Sequence, residues 1–320
     1  MRGARIAYAR PHTATKKPAW CRLFFAAGSW RAGRRVLLRP FIEGPRLTSS
    51  PEHDNPPPGL RDWLARAKQT PLPPVDEVRI DGVWCVVKYR RASVRGAVSY
   101  ALRYARAALL ALGCRLVLGE FPNPRVLLRN GVDYEAERLR QLRQADCRVP
   151  DIWYHEPGLL VLEHVGTDLN ALMRHGSDER RIALAAQAGR DLAEFHKRGF
   201  CHGGAQIRNL TMRGDEMWRI DFEENIGEAL SPPLAQAYDL FQMVASVLSM
   251  RKLAVAIMPR LGQVMLASYF EVNPDPEVRA RLLRLGRFLR GVAWPLRPLL
   301  GWLPSRDIQG FFRVADTLRP

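Results

Sequence analysis

Asp221 lies twelve residues after Asn209, and the stretch between them, "LTMRGDEMWRI", is two short strand-forming runs around Gly214-Asp215. A glycine–aspartate turn between such runs predicts a tight hairpin. A hairpin returns its ends to one place, so Asn209 and Asp221 should converge on one pocket. A side-chain amide and a carboxylate there are hard oxygen donors suited to Mg²⁺, which in nucleotide sites keeps water and phosphate oxygens as its other ligands. Upstream, "DERRIALAAQAGRDLAEFHKRG" carries Leu184, Ala188, Leu192 and Phe195 on one helical face and stops at Gly199. The chain is thus written as a long helix, a short loop "FCHGGAQIRN" and a hairpin.

Earlier segments supply the opposite charge. "EVRIDGVWCVVKYRR" predicts a hairpin turning at Asp81-Gly82, with Lys88 at the end of an apolar strand. A lysine placed there can present a compact positive charge to a phosphate. "YEAERLRQLRQA" predicts a helix on which Glu135, in register with Leu139 and Leu142, can hold that lysine, with Glu137 competing for the role. "GLLVLEHV" predicts a short buried strand, and from "AQAYDLFQMVASVL" onward the pattern is mostly helical. Strands concentrated in the first half and helices in the second predict an α+β, two-lobed architecture.

These pieces, in this order from about residue 78 to 250, resemble the protein-kinase-like superfamily. "LAEFHKRGFCHGGAQIRNL" resembles its helix-plus-catalytic-loop signature and "RIDFE" its metal-binding Asp-Phe-Gly segment. "VVK" and "EAERLRQL" resemble the strand lysine and its helix glutamate. "LVLEHVGTDL" resembles the hinge between lobes, and Asp239 in "AYDLFQM" resembles the buried aspartate that braces the loop. The resemblance implies a small strand-rich N-lobe at 60–163 and a helical C-lobe at 164–320. It also implies ATP and Mg²⁺ as cofactors, with Lys88, Glu135, Glu163 and Val165 on the nucleotide side, Asn209 and Asp221 on the metal, and His202 and Asp239 in structural roles. Gly203 and the short interval between Asp221 and Asp239 are most similar to bacterial lipopolysaccharide kinases acting on Kdo or heptose, and more distantly to aminoglycoside phosphotransferases.

The departures are specific. Gly204 stands where the family has the aspartate that accepts the acceptor hydroxyl's proton, and Gln206 stands where protein kinases have lysine. Glu223 replaces the glycine of Asp-Phe-Gly, and no glycine-rich loop precedes Lys88. Gly204 leaves room for water or for a base from Glu223 or Glu224. The expectation is an atypical phosphotransferase acting on a sugar hydroxyl of lipopolysaccharide or another small substrate. Its rivals are a pseudokinase that binds nucleotide or scaffolds a partner, and an RNA-associated protein similar to the kinase subunit of the KEOPS complex.

Composition narrows the partners. Of 320 residues 47% are hydrophobic and 25% charged, as in globular chains, and the net charge of +17 favours phosphates, anionic membrane surfaces and, less so, nucleic acid. Residues 1–59 form a basic arm ending in the Pro-rich "TSSPEHDNPPPG", expected to be disordered. Five irregularly spaced cysteines predict a reducing compartment, and Arg22 breaks any leader-like apolar run. The expected location is cytoplasmic, peripheral on the inner membrane. Arg95, Arg103, Arg106 and Arg115, set among apolar residues, predict either a solvated helix face or a membrane contact, helped by "RLLRLGRFLRGVAWPLRPLLGWL" near the C-terminus.

Overall fold

The computed structural model describes residues 55–69, 72–90, 97–129 and 131–319. The basic arm up to residue 54, Arg95 and the side chain of Arg103 lie outside the described residues.

Helix α1 (Leu60–Ala67) precedes β1 (Val75–Ile80) and β2 (Val83–Tyr89). The hairpin between them turns at Asp81 (φ 47°) and Gly82 (φ 86°), two positive φ values in succession, as a tight primed turn demands. Helices α2 (Ala97–Leu118), α3 (Pro124–Leu127) and α4 (Val132–Gln144) follow, then β3 (Ile152–Glu156) and β4 (Leu159–Glu163). The four strands form one antiparallel sheet in the order β1-β2-β4-β3, with Lys88 opposite Leu160. Strand β4 is central and buried on both faces, which is why it reads as an unbroken apolar run. Leu60 and Leu64 of α1 pack with Cys85, Val87 and Val161. Leu139 and Leu142 of α4 pack with Leu160 and Leu162, and also with Phe195 and Phe222 beyond the sheet.

The second lobe holds β5 (Thr167–Asp168), α5 (Leu169–His175), α6 (Asp178–Lys197), a 3-10 turn (Ile207–Asn209), β6 (Leu210–Arg213) and β7 (Glu216–Arg219). Helices α7 (Ile226–Ala229), α8 (Pro232–Leu248), α9 (Met258–Val272), α10 (Pro276–Leu300) and α11 (Arg306–Thr317) complete it. The hairpin between β6 and β7 turns at Gly214 (φ 60°) as the sequence predicts. Helices α6 and α9 approach so closely that a Cβ on Gly189 would collide with the Met265 carbonyl.

The architecture is α+β and two-lobed, a sheet lobe followed by a helical lobe. One segment crosses that division. Ala107, Ala111, Cys114 and Leu118 of α2 and Leu127 of α3 belong to the core of the helical lobe, together with residues of α8 and α10. Glu120, just after α2, is anchored there: it accepts from the Ser231 hydroxyl at 2.7 Å and pairs with Arg281 at 3.2 Å.

Candidate functional site

Lys88 leaves β2 toward the seam between the lobes, and its ammonium gathers carboxylates from both sides. It donates to both oxygens of Glu135 at 2.8 Å and to Asp221 Oδ1 at 2.9 Å, and Glu223 lies at 3.5 Å. Glu137, the competitor, is exposed and pairs with Arg129 instead. The choice follows from α4's register. Glu135 shares a face with Leu139 and Leu142 and is fully buried, so its carboxylate requires a cation.

The electrostatics separate the two acids. Burial opposes charge at Asp221, but the Lys88 ammonium, its hydrogen bond and the nearby Arg208 outweigh it and hold the carboxyl well below the usual range. At Glu135 burial dominates, Lys88 offsets it only in part, and the neighbouring acids push further, so its carboxyl is raised. Burial would discharge Lys88, yet Asp221, Glu135 and Glu223 together raise its pKa and keep it an ammonium.

Asn209 and Asp221 are brought together as the hairpin predicts. The Ile220 amide donates to the Asn209 carbonyl at 3.0 Å, closing the base of the hairpin one residue before Asp221. Asn209 donates from Nδ2 to the Gly204 carbonyl at 2.8 Å, so the loop at Gly204 and this amide are locked to each other. Asp221 has φ 70°, an uncommon backbone state for a residue with a side chain, of the kind retained at functional sites. Its side chain remains 38% exposed although one oxygen is bound to Lys88. The donor set, one amide and one partly open carboxylate, fits a hard divalent cation.

Below the loop lies a saturated polar network. Asp239, fully buried within α8, accepts from the His202 amide at 2.6 Å and the Gly203 amide at 2.8 Å, and His196 Nε2 lies 3.3 Å from it. His196 Nδ1 meets the Tyr269 hydroxyl at 2.7 Å, and Tyr269 in turn accepts from Asn273 at 3.0 Å. His202 Nδ1 accepts from the Gly204 amide at 3.2 Å, which leaves Nε2 to donate to the Ile220 carbonyl at 3.1 Å. Its ring stacks on Phe222, 4.3 Å between centroids. Burial lowers both imidazoles' pKa values, so both are neutral.

The other sequence candidates are placed as follows. Glu163 is buried, with its carboxylate held by Arg213 at 2.8 Å and by the Asp151 amide at 3.3 Å, and its own amide donates to the Asp151 carbonyl at 3.0 Å. Val165 is buried in the link between the lobes. Gln206 turns toward α8, 3.5 Å from Gln242. Glu223 faces Lys88, while Glu224 stands beside Gly204: a Cβ built on Gly204 would lie 3.6 Å from the Glu224 carboxylate. Sequence reasoning missed Arg208, which lies in the loop itself beside Asp221, and the Tyr269–Asn273 end of the network, which only the fold brings to the loop.

No family model matches the chain. It is similar to the KEOPS complex subunit Bud32 of Pyrococcus abyssi (strain GE5 / Orsay), 26% identical over 91 residues that make up 28% of this chain. The match spans only 41% of Bud32's length. The fold is kinase-like. Among solved structures, the Rv3197–erythromycin complex from Mycobacterium tuberculosis aligns over 76% of this chain and 69% of its own, at 15% identity and a TM-score of 0.36.

Proposed function

We propose that this chain binds Mg-ATP between its lobes and transfers the γ-phosphoryl group to a sugar hydroxyl, in lipopolysaccharide or another small substrate. The observation that carries the reading is the Lys88 ammonium, held by Glu135 from the sheet lobe and Asp221 from the helical lobe. In it, Lys88 meets the phosphates, Asn209 and Asp221 hold Mg²⁺, and backbone around Glu163 and Val165 meets the base. When bound, the cation neutralises phosphate charge and orients the transferred group. The protein's own part is positioning: Glu135 aims Lys88, and the Asp239 network fixes the loop that carries Asn209.

Residues 60–163 and 164–320 act as the two sides of the cleft in this reading, and 1–59 as a separable arm. Peripheral binding to an anionic membrane is part of it. Helix α2 exposes Leu102, Leu109 and Leu116 at seven-residue spacing, with Arg106 and Arg115 also exposed, and the end of α10 and the turn after it expose Trp294, Leu299 and Trp302. No helix among the described residues is long and apolar enough to cross a membrane.

The test is thermal stability with Mg-ATP, since a ligand of the folded state raises Tm. Wild type should shift upward, and Lys88→Ala and Asp221→Asn should lose most of the shift. An equal shift in both variants removes the site. ADP release over lipopolysaccharide and membrane fractions tests the acceptor. Two other readings rest on specific observations. The glycine at 204 favours a pseudokinase, which would bind nucleotide without consuming it. The Bud32 similarity and the net charge of +17 favour an RNA-associated role, which steeply salt-dependent RNA binding would reveal.

A further inference from the structure

We infer that Glu224 is the catalytic base of this site, supplying from the segment after Asp221 the carboxylate that position 204 lacks. The inference rests on the phosphotransferase reading above.

The first observation is where the side chain lies. A Cβ on Gly204 would stand 3.6 Å from both the carboxyl carbon and Oε2 of Glu224, so this carboxylate occupies the neighbourhood that a side chain at 204 would enter. The second is that the segment carrying it is pinned to the loop. The Glu224 carbonyl lies 2.7 Å from where a Cβ on Gly203 would be, and Gly227 packs against Cys201 and the Gly203 amide. Asn225 Nδ2 donates to the Val126 carbonyl, which ties the same segment to α3. The glycines at 203 and 227 are what allow this approach. The third is elimination. Asp221, Glu135 and Glu223 face Lys88 and Asp239 is buried beneath two loop amides, so Glu224 is the carboxylate placed beside position 204.

In the transfer, Glu224 takes the proton of the acceptor hydroxyl as its oxygen bonds to the γ-phosphorus. The bond from that phosphorus to the β-phosphate bridging oxygen breaks, ADP leaves with the electron pair, and Glu224 returns the proton to solvent. Water serves as the acceptor in ATP hydrolysis, and the same group serves it.

The test uses the full chain with Mg-ATP and water as acceptor, measuring ADP release and the Mg-ATP shift in Tm for each variant. Glu224→Gln should keep the Tm shift and lose ~100-fold or more of turnover, the range a general base supplies. Gly204→Asp should lower Tm in the wild-type background by forcing two carboxylates together, and the loss should vanish in Gly204→Asp/Glu224→Gln. That double variant should also recover turnover over Glu224→Gln alone. If Glu224→Gln turns over within ~3-fold of wild type, a far smaller loss than removing a general base gives, the base assignment falls and the phosphotransferase reading stands. If wild type binds Mg-ATP yet releases no ADP either with water or over lipopolysaccharide and membrane fractions, both fall together.

Discussion

At the floor of the 201–209 loop, Asp239 accepts the His202 and Gly203 amides and meets His196, which in turn meets the Tyr269 hydroxyl. At the tip, one residue on, Gly204 has no side chain, and the nearest atoms to a Cβ there are those of a carboxylate from another segment. The floor is what a rigid phosphoryl-transfer loop requires. In the proposed reading, the tip is where the proton acceptor comes from another segment. The difference separates two jobs that a family signature merges: holding the loop's shape and supplying its proton acceptor.

Three perturbations test that separation. Asp239→Ala should cost most, ~3–5 kcal/mol, because it strands two buried amides and the partner of a buried imidazole. Chemical denaturation would read it, and a loss under ~1 kcal/mol would show that the floor is not what fixes the loop. Acid comes next. His196 and His202 are neutral in the fold with lowered pKa values, so the unfolded chain takes up protons first as pH falls below about 6.5. Stability should therefore fall as pH drops below about 6.5, by up to ~1.4 kcal/mol per pH unit for each imidazole. His202→Asn should remove about half of that slope, and an unchanged slope would mean that its ring is not held neutral. The smallest effects compare adjacent glycines. Gly203 has φ 79° and no room for a Cβ, so Gly203→Ala should cost ~2 kcal/mol, whereas Gly204→Ala should cost under ~1 kcal/mol. Equal costs would erase the distinction between floor and tip.

Much of the floor could be read in the sequence. Lys88, Glu135, Asn209 and Asp221 sit at spacings set by local structure (a strand end, a helix register, a hairpin base), whereas His202 and Asp239 are legible only through the resemblance of "HGGAQIRN" and "AYDLFQM" to the kinase-like signature. The sequence also separates Glu135 from Glu137, because one shares a face with Leu139 and Leu142. What the sequence leaves open depends on distant segments meeting. Glu223 and Glu224 are adjacent, and nothing local decides which faces Lys88 and which faces Gly204. Strand β3 escapes notice because "IWYHE" alternates poorly and its pairing with β4 shifts register between Ile152 and Tyr154. For α2, periodicity identifies a helix with an apolar face but not the lobe that buries it.

That last ambiguity has a consequence for how the chain reaches its native state. Helix α2 is made early, between the strand bearing Lys88 and the helix bearing Glu135, yet part of its core packing is with α10, which begins at Pro276. On a nascent chain the Ala107–Leu118 face has to wait for the last quarter of the protein before it is covered. The sheet lobe is thus bracketed around a segment that can be buried only late, so it cannot mature as an independent N-terminal unit. Its folding time is tied to that of the C-terminus. A fragment that ended at residue 163 would carry Ala107, Ala111, Cys114, Leu118 and Leu127 uncovered, and self-association would be its expected fate.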